Sequence, residues 1–250
     1  MLVMGILNVT PDSFADGGRH NDFEAAIARG LEMIAEGVDI IDIGGESTRP
    51  GADRVSEVEE IARTIPVIAE LAKHGTPISI DTMRASTAHA AVKAGASIIN
   101  DVSGGLADPE MLQTAAELKV PYIAMHWRGQ SKDMNSKAIY ADVVSDVISE
   151  LNVRIEAALA AGIQKDKLII DPGLGFAKDA EHNWAIIDSI DRFVAMGYPV
   201  LVGGSRKRFL GGESPDEREQ ATIQLTKRLG ATGVWAVRVH SVKPHKEVLG

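Results

Sequence analysis

The sequence predicts an α/β fold, a (β/α)8 TIM barrel formed as a single domain over residues 1–250 with a short or truncated eighth helix. Three observations carry that expectation. Eight short apolar runs recur at near-even intervals, segments with helical spacing fill most of the gaps, and the chain is 250 residues long. Strand alternating with helix implies parallel βαβ units. Eight such units close into a barrel of about 250 residues, whose active sites lie at the C-terminal ends of the strands.

The strands, in order, stop at residues that can do chemistry. VMGILN ends at Asn8, VDIID at Asp42, PISID at Asp81, and ASIIND at Asn100 and Asp101. PYIAMH ends at His126 and KLIID at Asp171. PVLVGG runs into Ser205, Arg206 and Lys207, and VWAVRVH carries Arg238 and His240. The first helix follows Asn21 and Asp22. Asp22 is its expected cap, Gly37 its stop, and Ala26, Ile27, Ile34 and Ala35 its buried stripe. Further helices are expected over 55–73, 85–94, 109–118, 140–162, 180–196 and 216–229. About ten residues follow the eighth strand, which leaves room for only a short last helix. Three loops are long: Val9 to Asn21, Gly44 to Ser56 and Trp127 to Ile139. Loops of about a dozen residues are usually functional or disordered.

Composition narrows the class. Hydrophobic residues make up 45% and charged residues 24%, as in an ordinary globular domain. A net charge of −9 argues against nucleic-acid or anionic-membrane binding, which needs dense Lys and Arg. An anionic substrate would need positive charge gathered locally. The chain has no Cys, which excludes disulfides and thiolate metal sites and suits a reducing cytoplasm. MLVMGILN lacks the basic start of a signal peptide, and no run approaches a membrane span. The expectation is a soluble cytoplasmic protein.

Strand side chains alternate between faces. In strand 8, Trp235, Val237 and Val239 suit the helix layer, so Ala236, Arg238 and His240 point into the barrel. In strand 3, Ser79 and Asp81 lie opposite Ile78 and Ile80. In strand 5, Ala124 and His126 lie opposite Ile123 and Met125, and the same logic turns His126 inward.

Two constellations follow. In VGGSRKRFLGG (202–212), two glycines allow close backbone approach to a ligand and three consecutive cations follow. With Arg238 and His240 from the next strand they suit a polyanion such as pyrophosphate. Asp81, Asn100 and Asp171 each end a strand. Carboxylates accept paired N–H bonds and an amide both donates and accepts, which suits a flat heterocycle with an amino group beside a ring N–H. Mg²⁺ binding and helix capping are the competing readings of that set. DPGLGF (171–176) marks a sharp turn, and Arg49 lies on a Gly/Pro-framed loop where it meets an anion or only solvent. His126 and Trp127 either line the mouth or pack its edge. Nothing forms a nucleophilic dyad or triad.

Taken together, GILNVTPDSFADGG (5–18), IDIGGESTRPGA (41–52), SIDT (79–82), INDVSGG (99–105), AMHWRG (124–129), DPGLGF (171–176), GGSRKRFLG (203–211) and RVHSV (238–242) resemble the dihydropteroate synthase family, most nearly its actinobacterial members. The resemblance covers almost the whole chain, in the family's order. It implies a pterin-binding TIM barrel and a transferase of folate biosynthesis. The implied reaction joins 6-hydroxymethyl-7,8-dihydropterin pyrophosphate to p-aminobenzoate, giving 7,8-dihydropteroate and pyrophosphate by dissociative loss of pyrophosphate, with Mg²⁺ assisting.

By the same resemblance, Asp81, Asn100, Asp171 and Lys207 hold the pterin. Asn8 (through Mg²⁺), Thr48, Arg238 and His240 hold the pyrophosphate. Phe14, Asp16, Arg49, Pro50 and Arg208 surround p-aminobenzoate, and Asp81, Lys207 and Asp16 are the catalytic candidates. A homodimer and a sulfonamide target are implied too, and the acidic composition adds the expectation of no nucleic-acid or membrane partner. Two other readings keep the barrel: a methyltetrahydrofolate-type pterin methyltransferase, which needs no pyrophosphate cradle, and a non-catalytic pterin-binding paralogue.

Overall fold

A computed structural model of the chain describes residues 1–10, 18–46, 55–129 and 134–250. The described strands form one all-parallel sheet in the order β6-β5-β4-β3-β2-β1-β8-β7. They are β1 (Leu2–Asn8), β2 (Ile40–Gly44), β3 (Ile78–Asp81), β4 (Ile98–Asp101), β5 (Tyr122–Met125), β6 (Leu168–Asp171), β7 (Leu201–Val202) and β8 (Ala236–Val239). A parallel bridge between Ile170 and Val200 joins β6 to the chain entering β7 and closes the barrel. The predicted barrel is thus the observed one.

Closure divides the strand side chains into two populations. Met4, Ile40, Ile98, Ile123, Ile169, Leu201 and Ala236 pack together inside the barrel. Their strand neighbours, such as Val3, Ile41, Ile99, Tyr122, Ile170, Val202 and Val237, join the larger core beneath the helices. Each large apolar side chain so buried contributes about 1.5–3 kcal/mol, and the inner plug gives way to polar residues toward the strands' C-terminal ends.

The helices are α1 (Gly18–Ala35), α2 (Glu57–Leu71), α3 (Ala85–Ala94), α4 (Met111–Leu118), α5 (Val143–Ala160), α6 (Ala180–Asp188), α7 (Ile190–Val194), α8 (Pro215–Leu229) and α9 (Lys243–Leu249). Short polar side chains start several of them: Ser56, Asp142, Asp179 and Ser214 each accept from a backbone N–H in the first turn. The seven-residue α9 is the short last helix the sequence predicts.

Three details depart from expectation. Asp22 falls inside α1 rather than capping it, since that helix begins at Gly18. Of the expected stripe of α1, Ala26 is buried and Ile27 and Ile34 pack against the core, but Ala35 is exposed and Gly30 and Met33 complete the buried face. The single helix expected over 180–196 breaks at Ser189, which leaves helical geometry at φ −113°. That break lets Ile186 and Ile187 before it and Ile190 and Phe193 after it all reach the core.

Candidate active site

Alternation along each strand brings polar residues to one rim, above the inner plug. Arg238 reaches from β8 across the barrel interior. Its Nε donates to Asp42 Oδ2 at 2.6 Å and its Nη2 to Asp81 Oδ2 at 2.7 Å. Asn100 Nδ2 donates to the same Asp42 oxygen at 3.1 Å. Four strands therefore contribute one network. Asp42 Oδ1 and Ser79 Oγ, on register-paired residues of β2 and β3, are buried with no protein partner. Buried polar atoms in that condition are costly unless a ligand or water satisfies them, so this part of the rim calls for a polar partner.

Asp171 stands across the rim on β6. Its Oδ1 accepts from Gly173 N–H at 2.7 Å. Gly173 has φ +70°, and a Cβ there would lie 2.4 Å from the His126 carbonyl oxygen, so the tight turn after Asp171 requires glycine. Lys207 Nζ donates to the Leu174 carbonyl of that turn and lies 4.5 Å from the Phe176 ring centroid. The loop after β6 and the loop after β7 are thereby tied together beside Asp171.

Burial dominates the electrostatics. It pushes the Asp81 carboxyl up to about 7, against the pull of Arg238. Asp171 is likewise raised by burial, with Gly173 N–H and Lys207 opposing. Burial brings the Lys207 ammonium down to about 8, with Asp171 opposing. The pocket thus holds two carboxyls and an amine whose proton affinities have moved toward one another, as proton-handling sites require.

Asp81, Asn100, Asp171, Lys207 and Arg238 meet in one pocket. Asn8 ends β1 beside Gly44, its register partner. His240 follows β8, with Nδ1 2.9 Å from Ser205 Oγ. Arg208 is exposed at the start of a 3-10 turn, Arg208–Leu210. Phe14, Asp16, Thr48, Arg49 and Pro50 lie outside the described residues.

Two expectations are corrected. The three consecutive cations do not act together: Arg206, at φ +56°, turns away to Glu219 at 2.5 Å and Ser241 at 2.9 Å. The faces of β5 are also reversed. Ile123 joins the inner plug, while Tyr122 and Ala124 join the outer core. His126 accordingly leaves the rim and is buried against Lys178 and Glu150. Asp101 is structural, accepting from Ser103, Gly105 and Tyr122. Asp42, expected at the rim as a strand-ending acid, belongs to neither of the two constellations the sequence suggests, yet it is the hub of this network. The available signal was an acid inside the otherwise apolar IIDIG strand.

The pattern of the pterin binding enzyme family matches residues 4–240. The chain belongs to the dihydropteroate synthase family. A dihydropteroate synthase of Mycobacterium leprae is 48% identical over 257 residues, covering 99% of this chain and 90% of the relative. The Xanthomonas albilineans dihydropteroate synthase solved with 4-aminobenzoic acid superimposes with a TM-score of 0.93 at 44% identity, covering 99% of this chain and 90% of the other. The same organism's enzyme in complex with 7,8-dihydropteroate gives 0.90 at 41% identity, with the same coverage of 99% and 90%. This chain is therefore a transferase with a TIM-barrel fold.

Proposed function

We infer that the chain condenses 6-hydroxymethyl-7,8-dihydropterin pyrophosphate with p-aminobenzoate. The observation that carries this reading is the convergence on one rim of Asp81, Asn100 and Arg238, joined by hydrogen bonds through Asp42, with Asp171 and Lys207, whose charges act on Arg238. Carboxylates from β3 and β6 and the amide of β4 face a flat heterocycle with acceptors and one donor, matching the amino and ring N–H groups of a pterin. The unpartnered Asp42 oxygen adds a further acceptor on that rim.

In the reaction the pterin's exocyclic C–O bond breaks, and its electron pair leaves with pyrophosphate. The p-aminobenzoate nitrogen forms the new C–N bond and loses a proton. Positive charge left on the pterin methylene as pyrophosphate departs is stabilised by Asp81 in its ionised form, and Arg238 sets that carboxylate's direction. Lys207 and Asp171 fix the pterin from the opposite wall. Asn8, Thr48, Arg238 and His240 are proposed to meet the diphosphate, with Ser205 orienting the His240 ring. Phe14, Asp16, Arg49, Pro50 and Arg208 are proposed to surround p-aminobenzoate, with Asp16 orienting its amine.

Mg²⁺ is the proposed cofactor. The donor chemistry fits, because Asn8 offers a hard amide oxygen at the end of β1, and Mg²⁺ takes one or two protein oxygens and fills its shell with water and substrate phosphates. When bound, it supplies positive charge at the departing diphosphate. Sulfonamides share the aniline of p-aminobenzoate and are proposed to compete for its site. A homodimer in the cytoplasm completes the proposal, with no nucleic-acid or membrane partner; among the described residues, no helix is long and apolar enough to cross a membrane.

Growth of a folate-auxotrophic strain that lacks its own synthase tests the reading. Restored growth on p-aminobenzoate is expected. Failure despite folded expression would favour a non-catalytic pterin-binding protein.

A further inference from the structure

Behind the turn after β6 lies a buried ammonium group outside the proposed ligand set. Lys178 Nζ is 3.1 Å from Gly173 O, 3.0 Å from Phe176 O and 2.8 Å from His126 Nδ1. An ammonium carries three N–H donors, so these three acceptors use all of them. His126 Nε2 is 2.9 Å from Glu150 Oε2. A carboxylate only accepts, so Nε2 carries the hydrogen and Nδ1 is free to accept from Lys178. Burial and the charge of Lys178 bring the His126 pKa down to about 4, which keeps the ring neutral in that tautomer.

The two carbonyls held by Lys178 bracket the groups that face the pocket. Gly173 N–H orients Asp171, and the Leu174 carbonyl receives Lys207. His126 N–H also donates to the Asp171 carbonyl at 2.8 Å, so His126 fixes the start of the turn as its side chain fixes the ammonium behind it. Releasing Lys178 would loosen the supports of Asp171 and Lys207 together. It would leave the Arg238–Asp81–Asp42–Asn100 network untouched, since that network hangs on other strands.

We propose that Lys178, oriented by His126 and Glu150, is a positioning residue for the pterin wall: it clamps the 171–176 turn so that Asp171 and Lys207 present a fixed donor and acceptor pair. The proposal rests on the pterin reading of the pocket. Burial pulls the Lys178 ammonium down to about 7, with Asp171 opposing, and the three hydrogen bonds offset that cost.

The test is isothermal titration of 6-hydroxymethylpterin, and separately of pyrophosphate with Mg²⁺, into wild-type protein and Lys178→Met. The methionine keeps the length and bulk of the stem and removes all three donors. Pterin affinity should fall about tenfold or more, the worth of a lost hydrogen bond to a charged group. Pyrophosphate affinity should hold at the wild-type value. Unchanged pterin affinity in a folded variant, or equal loss of both ligands, overturns the proposal.

Should Lys178→Met not fold, the His126 pair decides. His126→Gln retains an acceptor for the ammonium and His126→Leu does not, so pterin should bind the first better than the second; equal affinities overturn the role. A wild-type protein that binds no pterin would instead overturn the functional reading, before any variant is compared.

Discussion

Arg238 and Asp81 join across the barrel interior at 2.7 Å, although β8 and β3 are separated in the sheet by β1 and β2. Burial nevertheless raises the Asp81 carboxyl from 3.8 to about 7. A carboxyl raised by folding stabilises the fold fully below its unfolded pKa, and that contribution is lost as pH rises through the folded value. Wild-type stability should therefore decline between about pH 4 and 7 relative to Asp81→Asn, which cannot titrate. Urea midpoints of both proteins across that range check this; parallel curves would contradict the burial of an ionisable Asp81.

Asp42 holds both Arg238 and Asn100 while fully buried. Asp42→Asn removes the charge facing Arg238 without changing shape. Breaking a buried ion pair from one side costs about 3–5 kcal/mol, and the remaining Asp81 partner should keep the loss near the lower end. Chemical denaturation should show that loss, and pterin affinity should fall with it as Asn100 and Arg238 relax. Wild-type stability and affinity would remove Asp42 from the site.

Lys207 has an ammonium lowered to about 8 by burial. Above that pH it loses the charge that faces Asp171, so the KM for the pterin pyrophosphate should rise on the alkaline side. Lys207→Arg stays charged throughout, and its alkaline limb should move to higher pH whatever its absolute rate. Identical limbs in the two proteins would assign the ionisation elsewhere. Lys207→Ala should lose pterin binding and turnover with little change in thermal stability, because the residue lies in a loop.

Tyr122 offers the complementary case, a buried polar contact outside the pocket. Its hydroxyl donates to Asp101 Oδ2 at 2.7 Å within the outer core. Tyr122→Phe should cost about 1.5–3 kcal/mol of stability, because the bond is made to a charged acceptor. Since Asp101 faces the helices, the pterin KM should stay at the wild-type value. A kinetic effect without a stability effect would reverse the assignment of Asp101 as structural.

Ser79, Asp81 and Arg238 are legible from sequence because their strands alternate, whereas Asn100 and Asp171 are legible only as the polar ends of strands that are apolar on both faces. Ser79 and Asp81 lie opposite isoleucines, and Arg238 lies between two valines that belong to the outer core. In β5 both faces are buried, with Ile123 inside and Tyr122 and Ala124 outside, so hydrophobicity carries no information on direction and the sequence alone does not orient His126. Arg206 departs from expectation for a different reason. A cation in a turn takes its direction from backbone geometry, here a positive φ, and from acids such as Glu219 on a helix that begins nine residues later. Asp42 is legible as a polar rim residue but not as a binding partner, because its contacts with Arg238 and Asn100 come from strands far away in sequence; β2 itself runs two residues past it to Gly44. The Lys178–His126 contact joins residues 52 positions apart and follows no spacing rule.

The central claim is that these strand ends form one site that exchanges pyrophosphate for an arylamine. Its most direct measurement is continuous detection of pyrophosphate released by the purified protein, with each substrate and Mg²⁺ omitted in turn. Release equal to dihydropteroate formed, and dependent on both 6-hydroxymethyl-7,8-dihydropterin pyrophosphate and p-aminobenzoate, is the predicted result. A folded protein that binds pterin yet releases no pyrophosphate with both substrates present would contradict it.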